Sequence, residues 1–217
     1  MMKLYGSLAS PYVARVVLAA RYKKLELPVE MPAGGIKSPE YLAKNPFGKM
    51  PTLEHDGRCV IESQVICEYL EDLYPNPTLL PGDAGGRADA RTISRVTDLY
   101  VYPESRALFQ HMNPASRDAA AVESGKAAYA GVLGKLDGLM PGGPWAAGEF
   151  SIADCSLVPM VVLMQRSIVP ALDATDPVAL PALGRWWTQV MADPTTSVFV
   201  GEYGAAVDAF LARLRGG

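Results

Sequence analysis

Histidine is nearly absent from this chain, with His55 and His111 the only two, and the three cysteines, Cys59, Cys67 and Cys155, are widely spaced and never form a C-x-x-C pair. An odd, scattered set of thiols argues against a disulfide framework and against a zinc ribbon, and no metal site is expected. Cys67 and Cys155 fall in apolar helical patterns and read as buried thiols. Basic residues do not cluster either. The largest group is Arg21, Lys23 and Lys24, and a net charge of −3 leaves no electrostatic footprint for nucleic acid. These cations lie where a helix opened by Pro11 ends, and there they complement the helix dipole. The N-terminus, Met1-Met2-Lys3-Leu4-Tyr5, enters a strand pattern without a long apolar core or a cleavage site. Export and membrane insertion are therefore not expected, and a cytoplasmic protein is.

What is present is an ample apolar fraction, 49% of 217 residues, enough for one large or two modest cores. The chain is organised around Asn45-Pro46-Phe47-Gly48-Lys49-Met50-Pro51-Thr52-Leu53, followed by Glu62-Ser63 and an apolar helical run. Pro46 to Gly48 forces a sharp turn, and a strand begins after Pro51. Proline at a strand entrance donates no ladder hydrogen bond, which leaves the backbone of Met50 available to something other than protein. Upstream, 3–6 is a short strand, and Pro11 opens a helix with Ser10 at its N-cap. A second strand is predicted over 25–31, a loop over 32–37 and a helical turn over 38–42. Asp56-Gly57 joins two strands, 52–55 and 58–61, in a hairpin, and a helix covers 63–73. The order is β-α-β-α-β-β-α.

A proline- and glycine-rich stretch follows, Pro75-Asn76-Pro77 through Pro81-Gly82 to Gly85-Gly86. It reads as a linker, giving domains at 1–76 and 87–217 with 77–86 between them. Beyond it only helical periods remain, at 87–111, 116–139, 151–167, 181–192 and 203–214. Ser151-Ile152-Ala153-Asp154 is a capping box, a folding signal without a catalytic part. Pro103 is expected to kink the first of these helices, and Trp186 and Trp187 to pack the helical core.

This arrangement resembles the soluble glutathione transferases of the serine type, as found in plants and bacteria. The likeness spans the chain and rests on Ser10-Pro11-Tyr12-Val13-Ala14-Arg15-Val16, Asn45 to Pro51, Glu62-Ser63 and Phe150-Ser151-Ile152-Ala153-Asp154. It implies an α/β thioredoxin-like N-terminal domain followed by an all-α helical domain. It also implies glutathione as co-substrate, with the Met50 backbone pairing to its cysteinyl part beside a cis Pro51. Glu62 and Ser63 would take the γ-glutamyl end, and Lys37 and Lys49 the glycyl carboxylate. The chemistry agrees: glutathione carries an ammonium and two carboxylates, and needs an acid, hydroxyl or N–H donors, and a lysine. A plain helix cap is the other reading of Glu62 and Ser63.

The resemblance places the activating hydroxyl at Ser10, donating to the glutathione sulfur. Moving a thiol from its usual pKa near 8.5 down by about 2 requires roughly 2.7 kcal/mol. A hydrogen bond to a charged group supplies about 1.5–3 kcal/mol and a helix N-terminus about 0.3–1 more, so no general base is needed. Simple capping by Ser10 is the competing reading, and Tyr5 and Tyr12 are rival hydroxyls. Relatives that run thiol-disulfide chemistry have cysteine where Ser10 stands. The isomerase branch has a Ser-Ser-Cys run, from which Ala9-Ser10-Pro11 departs. An apolar electrophile is expected between the domains, near Leu8, Tyr12, Tyr102 and Arg106, in a homodimer. The alternative is a glutathione- or ligand-binding protein of the same fold with little turnover.

Overall fold

The computed structural model describes residues 2–216, and the chain divides into two compact units between Leu79 and Leu80. In the first, β1 (Met2–Tyr5) leads to α1 (Pro11–Tyr22), β2 (Val29–Glu30), α2 (Pro39–Lys44), β3 (Thr52–His55), β4 (Arg58–Ile61) and α3 (Ser63–Leu73). The hairpin and α3 have the predicted bounds. Positive φ at Asp56 and Gly57 accounts for the tight turn. The second strand shrinks from the expected 25–31 to two residues. Lys24 takes a φ of 57°, and the Leu25 amide bonds back to Ala20, so the chain is still turning out of α1 where pairing was expected to begin.

The sheet order is β2-β1-β3-β4, with β1 parallel to β2 and antiparallel to β3. Apolar residues of α1, among them Val13, Val16, Val17 and Leu18, are buried in this unit together with Leu4, Leu53, Ile66 and Leu70. The basic group lies at the end of α1 as read, with Arg21 in the last turn and Lys23 at the C-cap, but Lys23 has a second part. Its side chain is fully buried, and its ammonium donates to Glu71 Oε2 at 2.6 Å and to the carbonyls of Tyr74 at 2.5 Å and Pro77 at 2.9 Å. Glu71 in turn accepts from Thr78 Oγ1 and the Leu79 amide. All three hydrogens of the ammonium are thereby used to pin the 74–79 segment to α1 and α3. Burial pushes the Glu71 carboxyl up, but Lys23, Thr78 and Leu79 together hold it below its ordinary value.

The second unit is helical: α4 (Ala84–Val96), α5 (Tyr102–Phe109), α6 (Ala119–Leu139), α7 (Ile152–Arg166), α8 (Ile168–Leu172), α9 (Pro181–Ala192) and α10 (Pro194–Gly216), with two isolated bridges at 145–149. α4 starts before the expected residue 87 because Asp83 caps it through the Gly86 amide. Between α4 and α5 lies a π-helical turn, Thr97–Val101, where a proline kink was predicted. Pro103 has no N–H for the Leu99 carbonyl, and the Tyr102 amide bonds five residues back to Thr97. The wider turn is how the helix takes in the proline. α10 begins nine residues earlier than predicted. Asp193 caps the amides of Thr195 and Thr196, starting a helix through β-branched residues whose propensity for it is weak.

α7 is the core of this unit, buried from Ile152 through Met164, and 151–154 forms the predicted capping box. The stretch Ile152–Leu172 is long and apolar enough to cross a membrane, but 72% of its most apolar 18-residue window is buried inside the protein, as in a core helix. Trp186 packs there fully buried and donates Nε1–H to Asp154 Oδ1 at 2.8 Å, as does the Ala146 amide at 3.0 Å. Cys67 and Cys155 are buried thiols outside any disulfide, as expected.

Replacing Lys23 by methionine leaves Glu71 and two carbonyls without their donor. Loss of one partner of a buried pair costs about 3–5 kcal/mol, so urea unfolding of Lys23→Met should show a loss of about that size. Asp154 gives a pH signature. Burial raises its carboxyl to about 6, against hydrogen bonds from Ala146, Trp186 and Ser151 that pull it down. A carboxyl that titrates higher folded than unfolded binds more protons in the native state, so its contribution to stability falls as pH rises from about 4 to about 6. The stability difference between wild type and Asp154→Asn should therefore move against the wild type by up to about 3 kcal/mol between pH 3.5 and 7.

Candidate functional site

Strand register decides which loops meet. Thr52 pairs with Tyr5 on one side and with Ile61 on the other, and Tyr5 pairs with Glu30. The segments that leave these residues therefore emerge at one end of the sheet: 6–10 after β1, 31–38 after β2, 45–51 before β3, and Glu62-Ser63 after β4. This single end holds Leu8, Ser10, Tyr12, Lys37, Lys49, Met50, Pro51, Glu62 and Ser63, every candidate residue of the first unit. Gly6 draws two of the segments together. A Cβ there would lie 2.5 Å from Val13 Cγ2 and 3.4 Å from Met50 Cβ, so only glycine allows α1 and the Met50 loop to close on β1.

The 45–51 turn is fixed from beneath. Asn45 is buried and donates Nδ2–H to the Lys49 carbonyl at 2.9 Å and to Thr52 Oγ1 at 3.0 Å, while its Oδ1 accepts the Phe47 amide. Tyr41 on α2 donates to the same Lys49 carbonyl at 2.6 Å and lies 2.9 Å from Thr52 Oγ1. Burial raises the Tyr41 hydroxyl above its ordinary pKa, which keeps it a donor. Thr52 accepts from Asn45 and has its own proton for Tyr41, so the network closes. The peptide ahead of Met50 is thereby held, and the Met50–Pro51 bond is cis. Among the described residues the Met50 N–H and C=O make no backbone hydrogen bond. Gly48 has a φ of 55°, and a Cβ there would lie 2.8 Å from Lys37 Nζ and 2.9 Å from the Ile36 carbonyl. Lys37 is thus packed over the turn that carries Lys49, and both ammonium groups are exposed, with no ion pair among the described residues.

Glu62 stands at the N-cap of α3 with φ 68° and ψ 115°, a sparsely populated conformation for a side chain-bearing residue, and makes no capping bond. The cap reading therefore fails for Glu62, whose carboxylate is exposed. Ser63 is buried at the first turn of α3, where its hydroxyl accepts Arg15 Nη1–H at 3.1 Å. Ser10 is at the N-cap of α1, with extended backbone angles, and its side chain makes no cap hydrogen bond; its carbonyl accepts the Ala14 amide as a cap carbonyl should. Its half-buried hydroxyl is therefore available at a helix N-terminus. Tyr5 is occupied elsewhere: its hydroxyl donates to Glu54 Oε2 at 2.8 Å, which also accepts Lys44 at 2.7 Å. That bond, with burial, raises the Tyr5 pKa. Tyr12 is half-buried under the Arg15 guanidinium, 5.5 Å from the ring centroid.

In the second unit, Tyr102 is half-buried at the start of α5 and Arg106 is exposed one turn on. Burial raises the Tyr102 hydroxyl, with Arg106 acting against it. Among the described residues no group of His, Cys, Asp and Glu could hold a metal ion. Chemically, the sheet end offers an exposed carboxylate, two exposed ammonium groups, an unpaired backbone amide and carbonyl, and a free hydroxyl at a helix start. Such a set suits an extended peptide with charges at both ends. Arg15, Tyr41 and Thr52 had no assigned part in the sequence. Arg15 left one trace, as a lone cation inside the apolar run Val13, Ala14, Val16, Val17.

A thioredoxin-like unit with a β2-β1-β3-β4 sheet, followed by a helical unit, is the architecture of soluble glutathione transferases. The comparisons with known proteins agree. The glutathione S-transferase N-terminal domain family matches residues 4–78, and the C-terminal domain family matches 119–187. A probable glutathione S-transferase of Oryza sativa subsp. japonica is 32% identical, over 85% of this chain and 82% of its own. The maleylacetoacetate isomerase of Pseudomonas aeruginosa is 33% identical, over 80% and 85%. Among solved structures, the theta class glutathione S-transferase of Xanthomonas axonopodis pv. citri, with glutathione bound, superposes with a TM-score of 0.78 at 23% identity, over 92% of this chain and 96% of that one. The chain belongs to the glutathione S-transferase family.

Asn45→Ala removes two donors and one acceptor from the floor of the turn, and leaves the Lys49 carbonyl and the buried Thr52 with fewer partners. It should cost about 1–3 kcal/mol, read by thermal unfolding, and should raise the KM for glutathione by loosening the loop that carries Lys49 and Met50.

Proposed function

We propose that the sheet end formed by Ser10, Lys37, Lys49, Met50, Pro51, Glu62 and Ser63 binds glutathione and transfers its sulfur to an apolar electrophile. Glu62 takes the ammonium, and Ser63, at the positive end of α3, takes the neighbouring carboxylate. Met50 pairs with the cysteinyl backbone, while Lys37 and Lys49 meet the glycyl carboxylate. Ser10 donates to the sulfur and stabilises the thiolate, which attacks the electrophilic carbon as its leaving group or π electrons depart. The observation that carries this reading is the Ser10 hydroxyl: it holds a cap position without capping. Tyr5 is unsuited to the role, because its proton is committed to Glu54.

Leu8 and Tyr12 from the first unit, with Tyr102 and Arg106 from the second, are the candidates for electrophile contact. The protein is taken to work in the cytoplasm as a homodimer. Apolar side chains exposed in each unit, Phe47 and Val65 in the first and Leu99 and Tyr100 in the second, favour association. A monomeric mass in solution would count against the dimer.

The test is retention on immobilised glutathione followed by conjugation of a chloronitrobenzene; retention without conjugation would favour the ligand-binding alternative. In Ser10→Ala, loss of one hydrogen bond to a thiolate should lower kcat/KM roughly tenfold to hundredfold and raise the pKa of the bound thiol, followed by thiolate absorbance. An unchanged pKa would remove Ser10 from the mechanism. Glu62→Ala should raise the KM for glutathione and leave kcat nearly as it was.

A further inference from the structure

Arg15 is 4% exposed, midway along an otherwise apolar face of α1, and its Nη1–H donates to Ser63 Oγ on α3 at 3.1 Å. A guanidinium remains charged and has no acceptor, so the direction of this bond is fixed. Ser63 must accept. Among the described residues this is the only hydrogen bond its side chain makes, so its own proton is left to point away from Arg15. We propose that Arg15 is a positioning residue that fixes Ser63 as a donor, and thereby sets which way round the γ-glutamyl end of glutathione is bound.

A hydroxyl without Arg15 could turn its lone pair to an ammonium as readily as its proton to a carboxylate. With Arg15 behind it, Ser63 offers the ligand a proton only, and the ligand atom it meets must be an acceptor. The neighbouring Glu62 carboxylate offers the ligand acceptors only, so the ligand group it meets must be a donor. Two adjacent residues thus present opposite polarities, and an α-amino acid end can satisfy both in one orientation. The guanidinium charge adds to the positive end of α3 and favours the same carboxylate. The Tyr12 ring, 5.5 Å from the guanidinium, adds a cation–π contact that helps hold it in place.

This inference rests on the proposed glutathione site. The test measures binding and KM for glutathione and for two analogues, one lacking the γ-glutamyl amine and one lacking the α-carboxylate. Wild type should discriminate against both. Arg15→Met should lose roughly tenfold or more of its discrimination against the carboxylate-free analogue. Its discrimination against the amine-free analogue, which depends on Glu62, should be kept. Ser63→Ala should give the same pattern, and the double variant should add little to either single one. If Arg15→Met does not fold, Arg15→Gln, which keeps a weaker neutral donor, decides by the same comparison. Equal loss of discrimination against both analogues, unchanged discrimination against both, or full additivity with Ser63→Ala would overturn the inference. Failure of wild type to bind glutathione at all would overturn the site assignment on which it stands.

Discussion

Thr52 pairs on both sides at once, with Tyr5 in β1 and Ile61 in β4, and the site depends on that double register. In a sheet a slip of one residue turns every side chain to the opposite face, so the loops that follow β1 and β4 keep their partners only while Thr52 keeps its own. Its side chain works at the same point: the hydroxyl bridges Asn45 and Tyr41 under the turn that delivers Met50. One residue therefore ties strand pairing to the shape of the peptide-binding edge.

Buried polar groups do the remaining work in the first unit. Lys23 gathers the end of α3 and the segment behind it. Arg15 joins α1 to α3 at the opposite end of the sheet from the 56–57 hairpin. Such groups are costly to bury unless paired, so their positions are sharply defined. Among the described residues the exposed charges at the site, Lys37, Lys49 and Glu62, have no such partners. A ligand with complementary charges finds them already in place and displaces no internal ion pair.

In the second unit the strain of one residue type shapes the backbone. Pro103 removes a donor from the helix, and the π-helical turn before it supplies a longer hydrogen bond in place of a break. Tyr102 is the residue whose amide makes that bond. α7 is the rigid reference for this unit. Its capping box and the Trp186 indole converge on Asp154, which burial leaves close to its titration point near neutral pH.

The order of elements, the Asp56-Gly57 hairpin, the 63–73 helix and the Ser151 capping box were legible in the sequence, because turn chemistry, caps and hydrophobic period act within a few residues of where they are written. The family pattern was legible for the same reason, being carried by short motifs. Three things were not: that Ser10 sits at a cap without capping, that Lys23, at the end of α1, is an internal tie, and that Arg15 reaches Ser63. The last two depend on partners 48 residues away, which local spacing does not name, and the first on where a side chain turns at an ordinary cap. The sequence by itself determined which chemical groups this protein has and in what local conformations; tertiary structure alone decided which of them are spent inside and which are left for a ligand, because that is settled by long-range hydrogen bonding in a buried interior.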